Sequence, residues 1–226
     1  MGERYRLLTE ANPKTRKGEA LGWKTLILHL LPFNYSGHQV CPMARGCEKE
    51  CLAWAGRGHM SMTINARTRR THQFFEDRER FMQLLELDIL TAKLLASFEQ
   101  QQLAIRLNGT SDIAWEKIRI GTDRNLMTRF PDIMFYDYTK IPGRTVPDNY
   151  RLVFSADDHN EVQCRKYLAQ GQNVAKIFKG ERPDNWLGHP VIDGDEHDLR
   201  FLDSSPVIVG LKLKQPHFPI QFQKAA

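Results

Sequence analysis

Long apolar runs, internal repeats and low-complexity tracts are all missing from this 226-residue chain. The longest apolar candidate, residues 26–33, is interrupted by His29 and Pro32. It falls far short of the roughly 20 residues that a membrane span needs, so no membrane partner is expected. The first residues lead into no signal-peptide core, and the expected location is the cytoplasm. Cysteine is scarce: four residues in 226 exclude a small disulfide-stapled scaffold. Charge of one sign is also lacking. Lys and Arg number 32 against 27 Asp and Glu, a net charge of +5 that permits nucleic-acid contact without demanding it. Runs such as Glu76-Asp77-Arg78-Glu79-Arg80 mix both signs, as a solvated surface does. What is present is ordinary globular material, 41% hydrophobic and 26% charged, which excludes disorder as the main state. The length suits one domain or two small ones.

The first 20 residues are polar and basic (Asn12-Pro13-Lys14-Thr15-Arg16-Lys17) and read as a loose arm; residues 21–226 read as one metal-binding domain. Short apolar runs recur at 23–31, 103–107, 133–136, 150–154, 173–178, 190–192 and 207–213, each bounded by turn residues. Several are apolar at successive positions, which predicts strands buried on both faces of a parallel sheet. Between the first two runs, Phe74, Phe81, Leu85, Ile89 and Ala92 mark one face of a long helical stretch over 62–101. Further helices are expected over 158–170 and 123–129. Strand–helix–strand order implies right-handed parallel crossovers. Seven strands with fewer helices in this length predict an α/β fold, a partial or open (β/α) barrel of six to seven mostly parallel strands. The Pro- and Gly-rich link over 139–149 is too short for a crossover helix and is expected to be antiparallel or irregular.

Cys41, Cys47 and Cys51 fall within 11 residues in the pattern C-x5-C-x3-C, after the first strand and before the long helix. In a reducing compartment such clustering points to a metal. A [4Fe–4S] cluster uses thiolates, and three of them leave one iron open. Zinc is the alternative, with His38 or His59 as fourth ligand. Gly56 and Gly58 flank Arg57, a pattern that lets backbone approach an anion. Arg67, Arg69 and Arg70 open the following helix. Cys164 shares a helix face with Tyr167 and Leu168 and reads as core.

The other strands also run into polar residues, as an active-site rim would. The second ends as Arg106-Leu107-Asn108-Gly109-Thr110-Ser111-Asp112, and the third as Tyr136-Asp137-Tyr138-Thr139-Lys140. Ser155 closes the fourth. A segment rich in aspartate, Asp193-Gly194-Asp195-Glu196-His197-Asp198, follows the sixth. Arg106, Asn108, Gly109, Thr110, Ser111, Asp112 and Ser155 are the candidate cofactor-binding residues. Asp137, Tyr138, Lys140 and Asp195 are the candidate catalytic ones, with Asp193 or Asp195 expected to be substantially buried and bonded.

The stretches Cys41-Pro42-Met43-Ala44, Ala55-Gly56-Arg57-Gly58, Arg106 to Asp112, Tyr136 to Lys140 and Val191-Ile192-Asp193-Gly194-Asp195 resemble the bacteriophage family called gene product 88. That resemblance implies a phage or mobile-element origin, hence the cytoplasm of a host cell, and no particular reaction. A weaker resemblance is to radical S-adenosylmethionine enzymes. These carry three cysteines in the loop after the first strand of a partial barrel and bind the methionine moiety near the end of the second. Their usual spacing is C-x3-C-x2-C, with an aromatic residue where Glu50 stands here. The resemblance implies a [4Fe–4S] cluster on Cys41, Cys47 and Cys51, S-adenosylmethionine as cosubstrate, and, with the basic charge, a nucleotide or nucleic-acid substrate. Two other readings remain open. One is a zinc-bearing base-modifying enzyme similar to the tRNA-guanine transglycosylases, with Asp112, Asp137 or Asp195 as nucleophile. The other is a non-enzymatic nucleic-acid-binding protein with a structural metal clip and a basic surface including Lys14, Arg16, Lys17, Arg67, Arg69 and Arg70.

Overall fold

The computed structural model of the chain describes residues 6–10, 17–45, 47, 51–219 and 222. Nine strands form one sheet: β1 (Leu8–Thr9), β2 (Trp23–Leu28), β3 (Gln102–Arg106), β4 (Met134–Thr139), β5 (Tyr150–Ser155), β6 (Val174–Phe178), β7 (Asn185–Trp186), β8 (His189–Asp193) and β9 (Ile208–Lys212). Their order is β1-β2-β3-β4-β5-β6-β9-β8-β7. Pairing is parallel from β2 through β6, on to β9 and then to β8; only β1 and β7 run antiparallel to their neighbours. All seven apolar runs are strands of this sheet. The two additional strands, β1 and β7, have two residues each and leave no periodicity in the sequence. The sheet is open, with β1 and β7 at its edges.

The helical stretch divides into α1 (Ser61–Glu76) and α2 (Arg78–Phe98). Asp77 ends the first and caps the second, its carboxylate accepting from the Arg80 N–H at 3.3 Å. The apolar stripe is continuous across the break: Phe74, Phe81, Leu85, Ile89 and Ala92 are all buried against Leu26, Leu28, Ile105 and Phe135 of the sheet. Two further helices are α3 (Leu126–Arg129) and α4 (Glu161–Ala169), each shorter at its start than the spacing predicted.

The link over 140–149 contains no helix, yet β4 and β5 are parallel, with Phe135 opposite Tyr150. It is held by polar contacts instead. Arg144 pairs with Glu116 at 2.6 Å, both side chains buried. The Asn149 amide donates to the carbonyls of Met127, Phe130 and Ile133. On the opposite face of the sheet, Trp23, Ala104 and Tyr136 pack against Leu199 and Phe201 from the segment after β8.

Within the first 20 residues, Leu7 and Leu8 are core residues and β1 pairs with β2. That part of the expected arm belongs to the sheet; residues 1–5 and 11–16 lie outside the described residues. No helix among the described residues is long and apolar enough to cross a membrane.

Candidate metal and ligand site at the carboxyl edge of the sheet

Parallel strands end on one edge, so the cysteine loop, the turn after β3 and the ends of β4 and β5 meet there. Three bonds stitch the first two together. The Cys41 thiol donates to the Thr110 carbonyl at 3.9 Å, the Asp112 N–H donates to the Val40 carbonyl at 2.8 Å, and the Thr110 hydroxyl donates to the Leu30 carbonyl at 2.5 Å. Cys41 also accepts from the Phe33 N–H, and Cys51 from the Ala53 N–H as it caps the short turn Leu52–Trp54. Burial pushes both thiols up, Cys41 to about 12 and Cys51 to about 11, and charge on the neighbouring cysteines adds to this. Cys47 is half-buried in the same loop, while Gly46 and residues 48–50 lie outside the described residues.

Arg67 reaches back from α1 to this loop. It is buried, 8% exposed, and its Nη1 donates to the Ala53 carbonyl at 2.7 Å. Its Nε has no partner, and the charged groups that act on it among the described residues are Cys51 and Arg70, with no carboxylate. Desolvation lowers it to about 10. Gly58 makes the close packing possible: a Cβ there would lie 1.9 Å from the Ala53 carbonyl oxygen. The glycine therefore serves the chain crossing rather than a cradle for an anion. Arg69 is exposed, whereas Arg67 and Arg70 are buried, Arg70 donating to the Arg6 carbonyl. The two buried arginines are thus removed from any basic surface.

The residues of the β3 turn act mainly on one another. Asn108 is buried, and its Oδ1 accepts from the Ser111 hydroxyl, the Ile113 N–H and the Trp115 indole at 2.9, 2.9 and 3.1 Å. Its amide donates to the Ile113 carbonyl. Asp112 accepts from the Thr139 hydroxyl at 2.7 Å and the Lys140 N–H at 2.8 Å, tying the ends of β3 and β4 together. Gly109 lies where a Cβ would fall 2.4 Å from Ile27 and 2.5 Å from the His29 ring. Arg106 points to the opposite face and pairs with Asp198 at 2.7 Å. The Tyr136 hydroxyl donates to the same carboxylate at 3.1 Å. Tyr138 is half-buried under the Arg106 guanidinium, 5.1 Å from its ring centre.

Asp137 is buried inside the sheet. It accepts from the Leu107 and Asn108 N–H groups and from the Tyr150 hydroxyl, at 3.2, 2.9 and 2.9 Å. Those contacts make it a brace between β3, β4 and β5. Of the four candidate catalytic residues, Lys140 lines a cleft beside the cysteine loop. It pairs with Asp157 at 3.1 Å. Both line this cleft of about 230 Å³, which Met43 and Arg45 of the cysteine loop and His159 also border. Ser155 is half-buried at the end of β5, its carbonyl accepting from the Asn160 amide.

Asp195 follows β8, five strands along the sheet from β3. Its carboxylate is 18% exposed and bonds Arg182, Lys214 and the Lys212 N–H. Asp193 is exposed and also pairs with Arg182. So the half-buried, bonded carboxylate is Asp195, and its contacts fasten the β8–β9 edge. The fully buried acid of this segment is Asp198.

His29, which the sequence shows only as a break in an apolar run, stands two residues beyond Ile27 on the face Gly109 leaves clear. Its Nδ1 is buried with no partner, and desolvation together with Arg67, Arg106 and Arg70 drives it down to about 3. The signal for it was a lone imidazole at the carboxyl end of a buried strand.

Fold and site together define an α/β protein whose mostly parallel, open sheet carries a three-cysteine loop at its carboxyl edge. Over residues 6–225 the chain matches the model of the family described as gene product 88, and it belongs to that family. No curated protein and no solved structure matches it.

Proposed function

We propose that this is an iron–sulfur enzyme in which Cys41, Cys47 and Cys51 hold a [4Fe–4S] cluster beside the Lys140–Asp157 cleft. The observation that carries this reading is Arg67, a buried cation with no carboxylate partner among the described residues, next to Cys51. An unpaired buried charge is costly, and a thiolate-ligated cluster of net negative charge compensates it. Spacing supports the same choice. Zn–S bonds of about 2.3 Å put tetrahedral sulfurs about 3.8 Å apart. Among the described residues, the group of His, Cys, Asp or Glu ligand atoms gathered within 4.8 Å is His38, His72 and Glu76, not the cysteines. A cubane places each thiolate on a separate iron and tolerates the wider triangle.

When bound, such a cluster supplies one-electron chemistry at its open iron. The residues of the chain have other tasks. Arg67 offsets the negative charge. The Thr110 carbonyl and Val40–Asp112 bond hold the loop against the β3 turn. Lys140, Arg45 and His159 offer cationic groups or hydrogen-bond donors for a phosphate-bearing ligand at the cleft. The finer reading is a partial-barrel enzyme using S-adenosylmethionine on a nucleotide or nucleic acid. It rests on the cysteine loop's place after the first parallel strand of the run and on the basic cleft. The transglycosylase reading is weaker, because Asp112 and Asp137 are engaged in bracing neighbouring strands.

The test is anaerobic purification followed by iron and sulfide analysis, absorption, and electron paramagnetic resonance after reduction. The expected result is about four irons per chain, lost in Cys41→Ala, Cys47→Ala and Cys51→Ala but kept in Cys164→Ala. One zinc per chain, with no visible absorption after anaerobic reconstitution, overturns it.

A further inference from the structure

A second cluster of metal-ligating side chains lies at the end of α1. Glu76 Oε1 is 2.6 Å from His72 Nδ1 and 3.2 Å from His38 Nε2. All three ligand atoms fall within 4.8 Å of one another. His72 and Glu76 are four residues apart on one helix, the spacing that puts two side chains on a common face. His38 comes from the segment that leads into Cys41. Its ring is stacked on Phe75 of α1, 4.5 Å between centres and 3° between planes, and sits edge-on to His72 at 5.4 Å.

We propose that His38, His72 and Glu76 bind a divalent transition metal of the zinc class, which clasps the segment before Cys41 to α1. Four features converge on that assignment. Two imidazoles and one carboxylate are a known zinc donor set that leaves a fourth position for water. Metal–ligand bonds of about 2.0–2.2 Å in a tetrahedron put donor atoms about 3.4 Å apart. The two Glu76 edges, at 2.6 and 3.2 Å, lie within an ångström of that spacing, and the third edge is no longer than 4.8 Å. The His38 ring is already oriented by Phe75, so little side-chain freedom is lost on binding. Glu76 is the last residue of α1, where the helix dipole disfavours a carboxylate. A divalent ion removes that penalty, and the two neighbouring imidazoles, neutral as ligands, do so less completely.

The site is independent of the cysteines. It uses none of them and lies where the side chains are 29%, 42% and 59% exposed, open to exchange with solvent metal. Its occupation would fix His38 three residues from Cys41, and so hold still the backbone that presents the first thiol.

The experiment is calorimetric titration of the full chain with zinc chloride, with cobalt(II) absorption as a second probe. We expect one zinc equivalent that His72→Ala weakens at least tenfold and Glu76→Gln several-fold. The corresponding cobalt complex should show no thiolate charge-transfer band. Cys41→Ser and Cys51→Ser should leave that equivalent in place while abolishing iron loading, which separates this proposal from the cluster proposal. Because Glu76 is exposed and His72 half-buried, both variants are expected to melt within a few degrees of the native chain, and Glu76→Gln serves if His72→Ala does not fold. Unchanged zinc affinity in both variants, or no zinc bound beyond what the cysteine variants lose, overturns it.

Discussion

Asp137 sits in the middle of β4 with its carboxyl group 1% exposed, and burial raises it to about 7 despite three hydrogen bonds that favour the charged form. His29 is the mirror case, driven down to about 3 by burial and nearby guanidinium groups. The two act on stability with opposite signs. Between about pH 4 and 7 the native chain keeps a proton on Asp137 that the unfolded chain has released, so this term falls as pH rises. Between about pH 3 and 6.5 the unfolded chain takes a proton on His29 that the native chain refuses, so this term rises with pH. Across pH 4 to 6.5 they offset each other. Urea unfolding of single variants should separate them. Relative to the native chain, Asp137→Asn should gain stability as pH rises from 4.5 to 6.5, and His29→Gln should lose it. At pH 4.5, the low end of that window, Asp137→Asn should be about 1–3 kcal/mol less stable than the native chain, because its amide nitrogen meets backbone N–H donors, and this deficit should shrink as pH rises. Parallel pH profiles for native and variant chains would show that neither group titrates as its surroundings require.

At the scale of elements, glycine decides whether the cysteine loop can close. Gly58 lets the turn Gly56–His59 press on the Ala53 carbonyl that Arg67 also holds. A methyl group there would sit 1.9 Å from a backbone atom, which cannot swing aside. Gly58→Ala should therefore cost about 1–3 kcal/mol, a loss of several degrees in melting temperature. It should also lower iron retention, since Arg67 would lose its anchor. An alanine variant that melts and loads as the native chain does would show that the crossing has slack. The strands themselves were readable because a parallel sheet buried on both faces writes continuous apolar runs into the sequence. The division of the long helix at Asp77 was not, since the apolar stripe passes through it unbroken. Asn108 and Ser111 read as ligand donors in the sequence, and the structure adds what the sequence does not show, that Ser111, Ile113 and Trp115 all donate to the Asn108 carbonyl oxygen and close the turn.

At the scale of the whole molecule, contacts between residues far apart in sequence were the illegible part. Arg106 and Asp198 are 92 residues apart, and nothing local marks them as a pair. The cysteines were legible as a candidate site because their spacing is local; the charge balance around them was not, because it needs the position of Arg67. Without a metal, burial favours the neutral form of the Cys41 and Cys51 thiols, so Arg67 is a buried cation beside neutral sulfur, with the Arg70 guanidinium also nearby. On the proposed reading, that arrangement penalises folding without a cluster and would favour it with one. Replacing the guanidinium by an apolar side chain of similar length should reverse both effects. Arg67→Met should leave the metal-free chain as stable as the native one or more so, by about 1 kcal/mol, and should reduce the gain in melting temperature on anaerobic iron loading. Thermal melts of loaded and metal-free protein, native against Arg67→Met, give the four values needed. If the substitution instead destabilises the metal-free chain and leaves the gain on loading intact, Arg67 matters only as the anchor of the Ala53 carbonyl, and the electrostatic case for an anionic cluster is lost.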